Sequence, residues 1–295
     1  MKLINSSVEY IPQEESTEGM YRGLENIYKQ IERCARTCYK SEDKITDSSS
    51  KAFVDRLIAS KHTAMLEHGT VYLQCKIYLN EKDDTPLSKY KNNKYSKCSE
   101  YYFPGSASRG TYVVTNLRVL VENNWLDDLQ YLCSPTEFHE KRYTFKFTCS
   151  RAIANELVRH RVFSFAQESS RYCNYSKDKF GNEITFIEPS WKNKVVFDAN
   201  LHLYNTLYAA EVSYFDLLKN DATPQQARDV LPLATKTELC MTGFASDWRH
   251  LLDVRLYEKT GKVHPDMLDL MEKLKTVAEE ADIWDDIMSK PSKFK

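Results

Sequence analysis

Residues 69–79, GTVYLQCKIYL, alternate Val71, Leu73, Cys75, Ile77 and Leu79 with Tyr72, Gln74, Lys76 and Tyr78. A period of two puts the first set on one face and the second on the other, as in a strand with one buried side. HEKRYTFKFTC (139–149) repeats the pattern through Tyr143, Phe145 and Phe147. Such segments need each other to form a sheet, so the chain between them, at about 81–137, reads as an insertion within one domain. Its first part (81–110) is rich in Lys, Ser, Tyr and turn residues; TYVVTNLRVLVE (111–122) is strand-like and leads to a short helix near 124–132.

Outward from this centre the apolar spacing becomes helical. Leu24, Ile27, Tyr28 and Ile31 mark a helix over 22–39, and Phe53, Leu57 and Ile58 one over 50–60. Beyond 150 the spacing predicts a helix in SRAIANELVRH, an irregular segment over 162–183, a short strand in EITFIE and a long helix across 191–219. A short helix from Pro224 to Val230 follows, then a less regular apolar stretch, LPLATKTELCMTGFASDW (231–248), and helices near 246–257 and 264–284. Strands towards the front and helices behind predict an α+β fold: a central, mostly antiparallel sheet flanked by long helices, one domain over 1–295 carrying the insertion.

At 295 residues, 42% hydrophobic and 28% charged, the chain can bury a full core, which excludes disorder throughout. Lys and Arg number 41 against 42 Asp and Glu, so it lacks the positive excess that sequence-independent nucleic-acid binding needs. MKLINSSVEYIPQ has no apolar signal core, and no run of about 18 apolar residues would cross a membrane; a cytoplasmic protein is expected. The eight cysteines are scattered singly, as reduced thiols would be. No C-x-x-C pair occurs, Cys34 and Cys38 have no matching His pair, and His62 and His68 read as separate polar contacts, so no metal is expected.

Chemistry concentrates in RHRVFSFAQESSRY, Arg159 to Tyr172. In a continuing helix, steps of about 100° would point Arg159, His160 and Arg161 in three directions. A helix ending there instead aims them at different parts of one large anion. Ser169, Ser170 and Arg171 then offer two hydroxyls, consecutive backbone N–H groups and a planar guanidinium, the components of a monophosphate cradle. Cys173 is the one thiol beside this segment and reads as packing rather than as a nucleophile.

The pattern R-H-R-x-x-S-x-x-Q-x-S-x-R-Y closely resembles the signature of flavin-dependent thymidylate synthases. The resemblance implies methylation of dUMP to dTMP, with methylenetetrahydrofolate as carbon donor, FAD as hydride carrier and NADPH as reductant, in a homotetramer whose sites combine several subunits. It runs over roughly residues 32–280, interrupted by the insertion. CARTCY (34–39) looks like an early family element with Cys38 on the flavin side. HTAMLEH (62–68) resembles H-x-T-P-x-E-H and implies a folate-side role for His62; Ala64 and Met65 replace the usual Thr and Pro, which removes a hydroxyl contact to the flavin at Ala64. Tyr172 is implied on the folate side as well.

For dUMP the resemblance implies Glu156 (where Gln is common), Arg159, Gln167, Glu168, Ser169, Ser170, Arg171, Arg228 of ARDVLP and Arg255 of WRHLLDVR. For FAD it implies Arg159, His160, Arg161 and His250 together with positions 38, 64, 244 and 246. Arg255 is implied to polarise the pyrimidine. The chain departs from the pattern T-G-N-x-R, where Phe244 and Ser246 replace an Asn and an Arg that contact FAD. The insertion, with Arg109 and several lysines, is the expected source of a replacement cation. An inactive nucleotide-binding paralogue and an RNA-binding module are the competing readings; the neutral net charge and the lack of an RNP-like motif weigh against the second.

Overall fold

In the computed structural model, the structure describes residues 1–15, 19–78, 85–195 and 197–289. Leu79 of the first strand reading and residues 81–84 of the insertion therefore lie outside the described residues. The strands are β1 (Lys2–Ile4), β2 (Ser7–Tyr10), β3 (Thr70–Tyr78), β4 (Lys97–Tyr102), β5 (Ser108–Asn116), β6 (Arg142–Ser150), β7 (Ser164–Gln167), β8 (Thr185–Ile187) and β9 (Lys236–Phe244). The helices are α1 (Gly19–Thr37), α2 (Ser49–Ala59), α3 (Leu117–Glu122), α4 (Arg151–Leu157), α5 (Phe197–Lys219), α6 (Pro224–Ala227), α7 (Ala245–Arg255), α8 (Pro265–Glu280) and α9 (Trp284–Met288). Short 3-10 turns complete the connections, and among the described residues no helix is long and apolar enough to cross a membrane.

The fold is α+β, and its central sheet is antiparallel, in the order β2-β6-β9-β7. Alternation places Tyr143, Phe145, Phe147 and Cys149 of β6 with Leu239 and Met241 of β9 on one face, where Trp248, Leu251 and Leu252 of α7 and Met267, Leu270, Met271 and Leu274 of α8 cover them. Trp248 lies edge-on to Phe145 and Phe163, and its indole N–H donates to the Tyr143 carbonyl at 3.1 Å. The opposite face carries Cys240, which with Cys34 of α1 and Ala166 of β7 forms a small cluster, and Thr242, whose hydroxyl lies 2.7 Å from Nδ1 of His68. Burial, with Arg142 nearby, pushes the His68 imidazole down to about 3. It is therefore a neutral structural anchor at physiological pH.

The two strands that open the sequence reading do not pair with each other. β3 pairs along its whole length with β5, from Thr70↔Asn116 to Tyr78↔Ser108, and β4 joins the far edge of β5. β6 takes β2 and β9 as neighbours instead. The 81–137 segment thus supplies two of the three strands of a second sheet, and Leu87, Tyr90, Val113, Leu117 and Leu120 from it share a core with Ile27 and Ile31 of α1 and Val54 of α2. The apolar face read from 69–79 is the one buried here, through Val71, Leu73, Cys75 and Ile77. Helix α1 lies against both sheets. A third cluster, around Phe186, Leu207 and Tyr214, seats α5 against the parallel pair β1–β8; Cys173 is buried within it.

Candidate active site

Ser150 caps α4 by accepting from Ile153 N–H, and the helix stops at Leu157. Arg159, His160 and Arg161 occupy the turns that follow, tied back by His160 N–H to the Leu157 carbonyl at 3.0 Å. Arg159 and Arg161 are exposed, and neither guanidinium has a partner among the described residues. His160 points the other way. Its Nε2 accepts from Nε of Arg255 at 3.2 Å, while Nη1 of Arg255 donates to Oε2 of Glu156 at 3.0 Å. Burial, then the proximity of Arg255 and His250, holds the His160 ring down at about 4. A neutral ring accepting at Nε2 carries its proton on Nδ1. Arg255, the last residue of α7, is therefore fixed by two acceptors with its Nη2 donors unpartnered among the described residues.

A second group forms after β7. Gln167 ends the strand, with Nε2 at 3.4 Å from Thr237 Oγ1. Ser169 N–H donates to the Cys38 carbonyl at 2.9 Å, and its own carbonyl accepts from Tyr172 N–H and Cys173 N–H, folding 169–173 into a turn. The N–H groups of Ser170 and Arg171 are left without a partner among the described residues. Arg171 is exposed; its Nε donates to Oε1 of Gln225 at 2.6 Å and its guanidinium lies over the Tyr172 ring at 5.3 Å. Gln225 is in α6, and Arg228 begins the next 3-10 turn, so Gln225 ties the Arg171 turn to the chain that carries Arg228. Tyr172 in turn meets Tyr39, ring centres 5.2 Å apart. Cys38 touches Met65, Sγ to Sδ 4.0 Å, which brings the 3-10 turn carrying exposed Ala64, with exposed His62 just before it, against this group. Burial pushes the Cys38 thiol up to about 11, the opposite of an activated nucleophile.

Glu168 stands apart from its neighbours. Its carboxylate is buried, paired with Lys236 Nζ at 2.9 Å and facing the Tyr175 hydroxyl at 3.4 Å. Lys236 also holds Glu238 at 2.6 Å, and Lys40 reaches Glu238 from the other side at 2.8 Å. Those contacts occupy Glu168 inside the fold, where it lines a cavity of about 580 Å³ with Lys2, Lys40, Glu42, Glu183 and Lys236.

The third group surrounds the start of α7. Phe244 is buried, and its N–H donates to Oδ2 of Asp247 at 3.0 Å. Lys97 of β4 stands over the Phe244 ring at 4.5 Å, donates to Oγ of Ser246 at 2.5 Å and pairs with Oε1 of Glu140 at 2.7 Å. Glu140 also accepts from Ser246 N–H at 3.1 Å. Arg109 is elsewhere, buried between the Tyr102 hydroxyl at 3.3 Å and Glu100 at 3.6 Å. Lys97, Glu140 and Gln225 escape a reading of the sequence. A lysine in a Lys-rich stretch carries no local mark, and Glu140 is separated from its partner Ser246 by 106 residues.

Known proteins resemble this arrangement in sequence. The flavin-dependent thymidylate synthase of Corynebacterium efficiens is 33% identical over 138 residues, 44% of this chain and 55% of that protein. Those of Geobacter sulfurreducens and Synechocystis are 29% and 33% identical, over 46% and 41% of this chain and 56% and 60% of theirs. The chain thus spans a little over half the length of these relatives. A solved UMP/dUMP methylase, PolB from Streptomyces cacaoi, overlaps 97% of this chain and 95% of its own at a TM-score of 0.45 and 15% identity. The family described as thymidylate synthase complementing protein matches residues 95–280, which takes in the Arg159–Tyr172 segment, Arg228, Phe244, Ser246 and Arg255. With more than half of its length matched, this chain belongs to the thymidylate synthase complementing protein family.

Proposed function

We propose that the chain is a flavin-dependent thymidylate synthase, converting dUMP to dTMP with methylenetetrahydrofolate as carbon donor, FAD as cofactor and NADPH as reductant. The observation that carries this reading is the fixed guanidinium of Arg255, held by Glu156 at 3.0 Å and by the neutral acceptor His160 at 3.2 Å. Uracil C5 becomes nucleophilic when negative charge on the N3/O4 edge is stabilised, and a preorganised guanidinium supplies parallel donors for that edge without reorganising. Had His160 been charged, it would have repelled Arg255 rather than accepted from it. The Cys38 thiol, raised to about 11, argues against activation by cysteine addition at that position.

The residues also fit a dinucleotide. Two exposed guanidiniums without a partner among the described residues, Arg159 and Arg161, suit a diphosphate. Bound FAD would supply hydride chemistry that no side chain here possesses. The N–H groups of Ser170 and Arg171, without a partner among the described residues, and the outer edge of the Arg171 guanidinium suit a 5′-phosphate, with Arg228 as a further nucleotide ligand. His62 and Tyr172 would face the folate, and Cys38, Ala64 and His250 the flavin. A homotetramer accompanies this reading: Ser246 and Arg255 sit near opposite ends of α7, about 14 Å apart along its axis, so sites shared between subunits are a natural way to unite them. So does a cytoplasmic location.

The test is direct. Purified protein should carry flavin absorbance and form dTMP from dUMP only when methylenetetrahydrofolate and NADPH are present. Arg255→Ala should still bind dUMP, more weakly, while turnover falls by about 10²–10³-fold, the scale for losing one charge-stabilising donor. Wild-type turnover in that variant would refute the role given to Arg255.

A further inference from the structure

We propose that Lys97 is a further cation for the phosphate bridge of the flavin dinucleotide in this chain, added to Arg159 and Arg161 and supplied by strand β4 to the place where Ser246 stands. The proposal rests on the flavin reading above. Its starting point is a coincidence in space that the sequence hides. Phe244 and Ser246 are the two positions where the chain departs from the pattern it resembles, and one ammonium group contacts both, at 4.5 Å from the Phe244 ring and 2.5 Å from Ser246 Oγ. Phenylalanine offers no hydrogen bond to a ligand, but its ring face seats a cation. Serine is short enough to leave room for the ammonium and supplies an acceptor to orient it.

Lys97 is also built into this position. β4 pairs with β5 in fixed register, Lys97 opposite Val114, so the side chain is carried by a sheet rather than by a free loop. Glu140, buried, accepts from both Lys97 Nζ and Ser246 N–H and so ties the lysine to the first turn of α7. An ammonium has three hydrogens. Glu140 and Ser246 take two, and the third has no partner among the described residues, on a side chain that is 31% exposed. Glu140, Ser246 and the Phe244 ring thus hold the ammonium, with one hydrogen left for a phosphate. The Glu140 carboxylate sets the limit on its strength, because it neutralises part of the charge that the phosphate would meet.

The competing role for Lys97 is a clamp between β4 and α7 with no ligand at all. A titration of flavin fluorescence with FAD separates the two, run beside thermal melts of each protein. Lys97→Met is made in a Glu140→Gln background, so that no buried carboxylate is left without its cation; it keeps most of the stem over Phe244, removes the charge, and against Glu140→Gln alone should weaken FAD binding by about tenfold to a hundredfold with little change in melting. Lys97→Arg should retain binding. Ser246→Arg in the wild-type background should bring no gain, because the space is taken, whereas in the Lys97→Met, Glu140→Gln protein it should recover most of the lost affinity. Unchanged FAD affinity in that protein, against Glu140→Gln alone, overturns the proposal. So does a loss that tracks a fall in melting temperature and is not recovered by Ser246→Arg, since that is the clamp. Wild-type protein that binds no FAD, with or without dUMP, would instead bring down the flavin reading itself.

Discussion

Arg171 differs from Arg159 and Arg161 in being held: Gln225 takes its Nε and the Tyr172 ring lies beneath its plane. A guanidinium fixed along one edge presents its remaining N–H donors in a set direction, which is what selects a phosphate from a neutral group. If it grips the 5′-phosphate of dUMP, Arg171→Ala should reduce the preference for dUMP over deoxyuridine by about tenfold to a hundredfold, and affinity for deoxyuridine itself should hardly move. Competition binding with the two ligands measures this; an undiminished preference would remove Arg171 from the phosphate. The turn that carries Arg171 is legible in sequence because it is local, with its hydroxyls and backbone bonds all within 169–173. Lys97 is not legible, because what gives it meaning lies 43 and 149 residues away.

At the scale of elements, β9 explains both what the sequence reading reached and what it missed. Strand β9 is the hub of the central sheet, yet its residues read only as an irregular apolar stretch. Both of its faces are covered, Leu239 and Met241 by α7 and α8, Cys240 and Thr242 by α1 and His68, and a strand buried on two sides loses the alternation that betrays β3 and β6. Strand β5, buried along its whole length, is legible as strand-like from Thr111, but nothing local marks it as the partner of β3. Gly243 near the end of β9 has a specific reason to lack a side chain: a Cβ there would lie 2.5 Å from the Phe163 ring. That ring is packed edge-on to Trp248 at 4.6 Å and follows Arg161 by two residues. Gly243→Ala should therefore cost about 1–3 kcal/mol by overpacking and should shift the Arg159–Arg161 turn. Chemical denaturation reads the first effect and FAD affinity the second; a variant as stable as wild type would show that Phe163 moves aside freely.

Across the whole molecule, charges reinforce junctions that the apolar clusters already make, such as the Cys34–Ala166–Cys240 contact of α1, β7 and β9. Lys40, just beyond α1, meets Glu238 of β9 at 2.8 Å; Lys236 holds Glu238 at 2.6 Å and Glu168, just beyond β7, at 2.9 Å. Burial works against ionising Glu238, but the two lysines outweigh it and hold the carboxyl down at about 2. The sign follows from proton linkage. A carboxyl whose folded value lies below its unfolded one adds stability that is complete above the unfolded value and fades as pH falls through the folded value. Here the window runs from 4.5 down to about 2, and the full contribution at neutral pH is on the order of 3 kcal/mol. Glu238→Gln should therefore lower stability most at pH 7, somewhat less near pH 4, and scarcely at all near pH 2, where half of the folded wild type has lost the same charge. Urea midpoints for the two proteins across that range provide the measurement. Curves that stay a constant distance apart down to the lowest pH would mean that the glutamine disturbs packing, and that the bond between α1, β9 and β7 does not depend on the charge of Glu238.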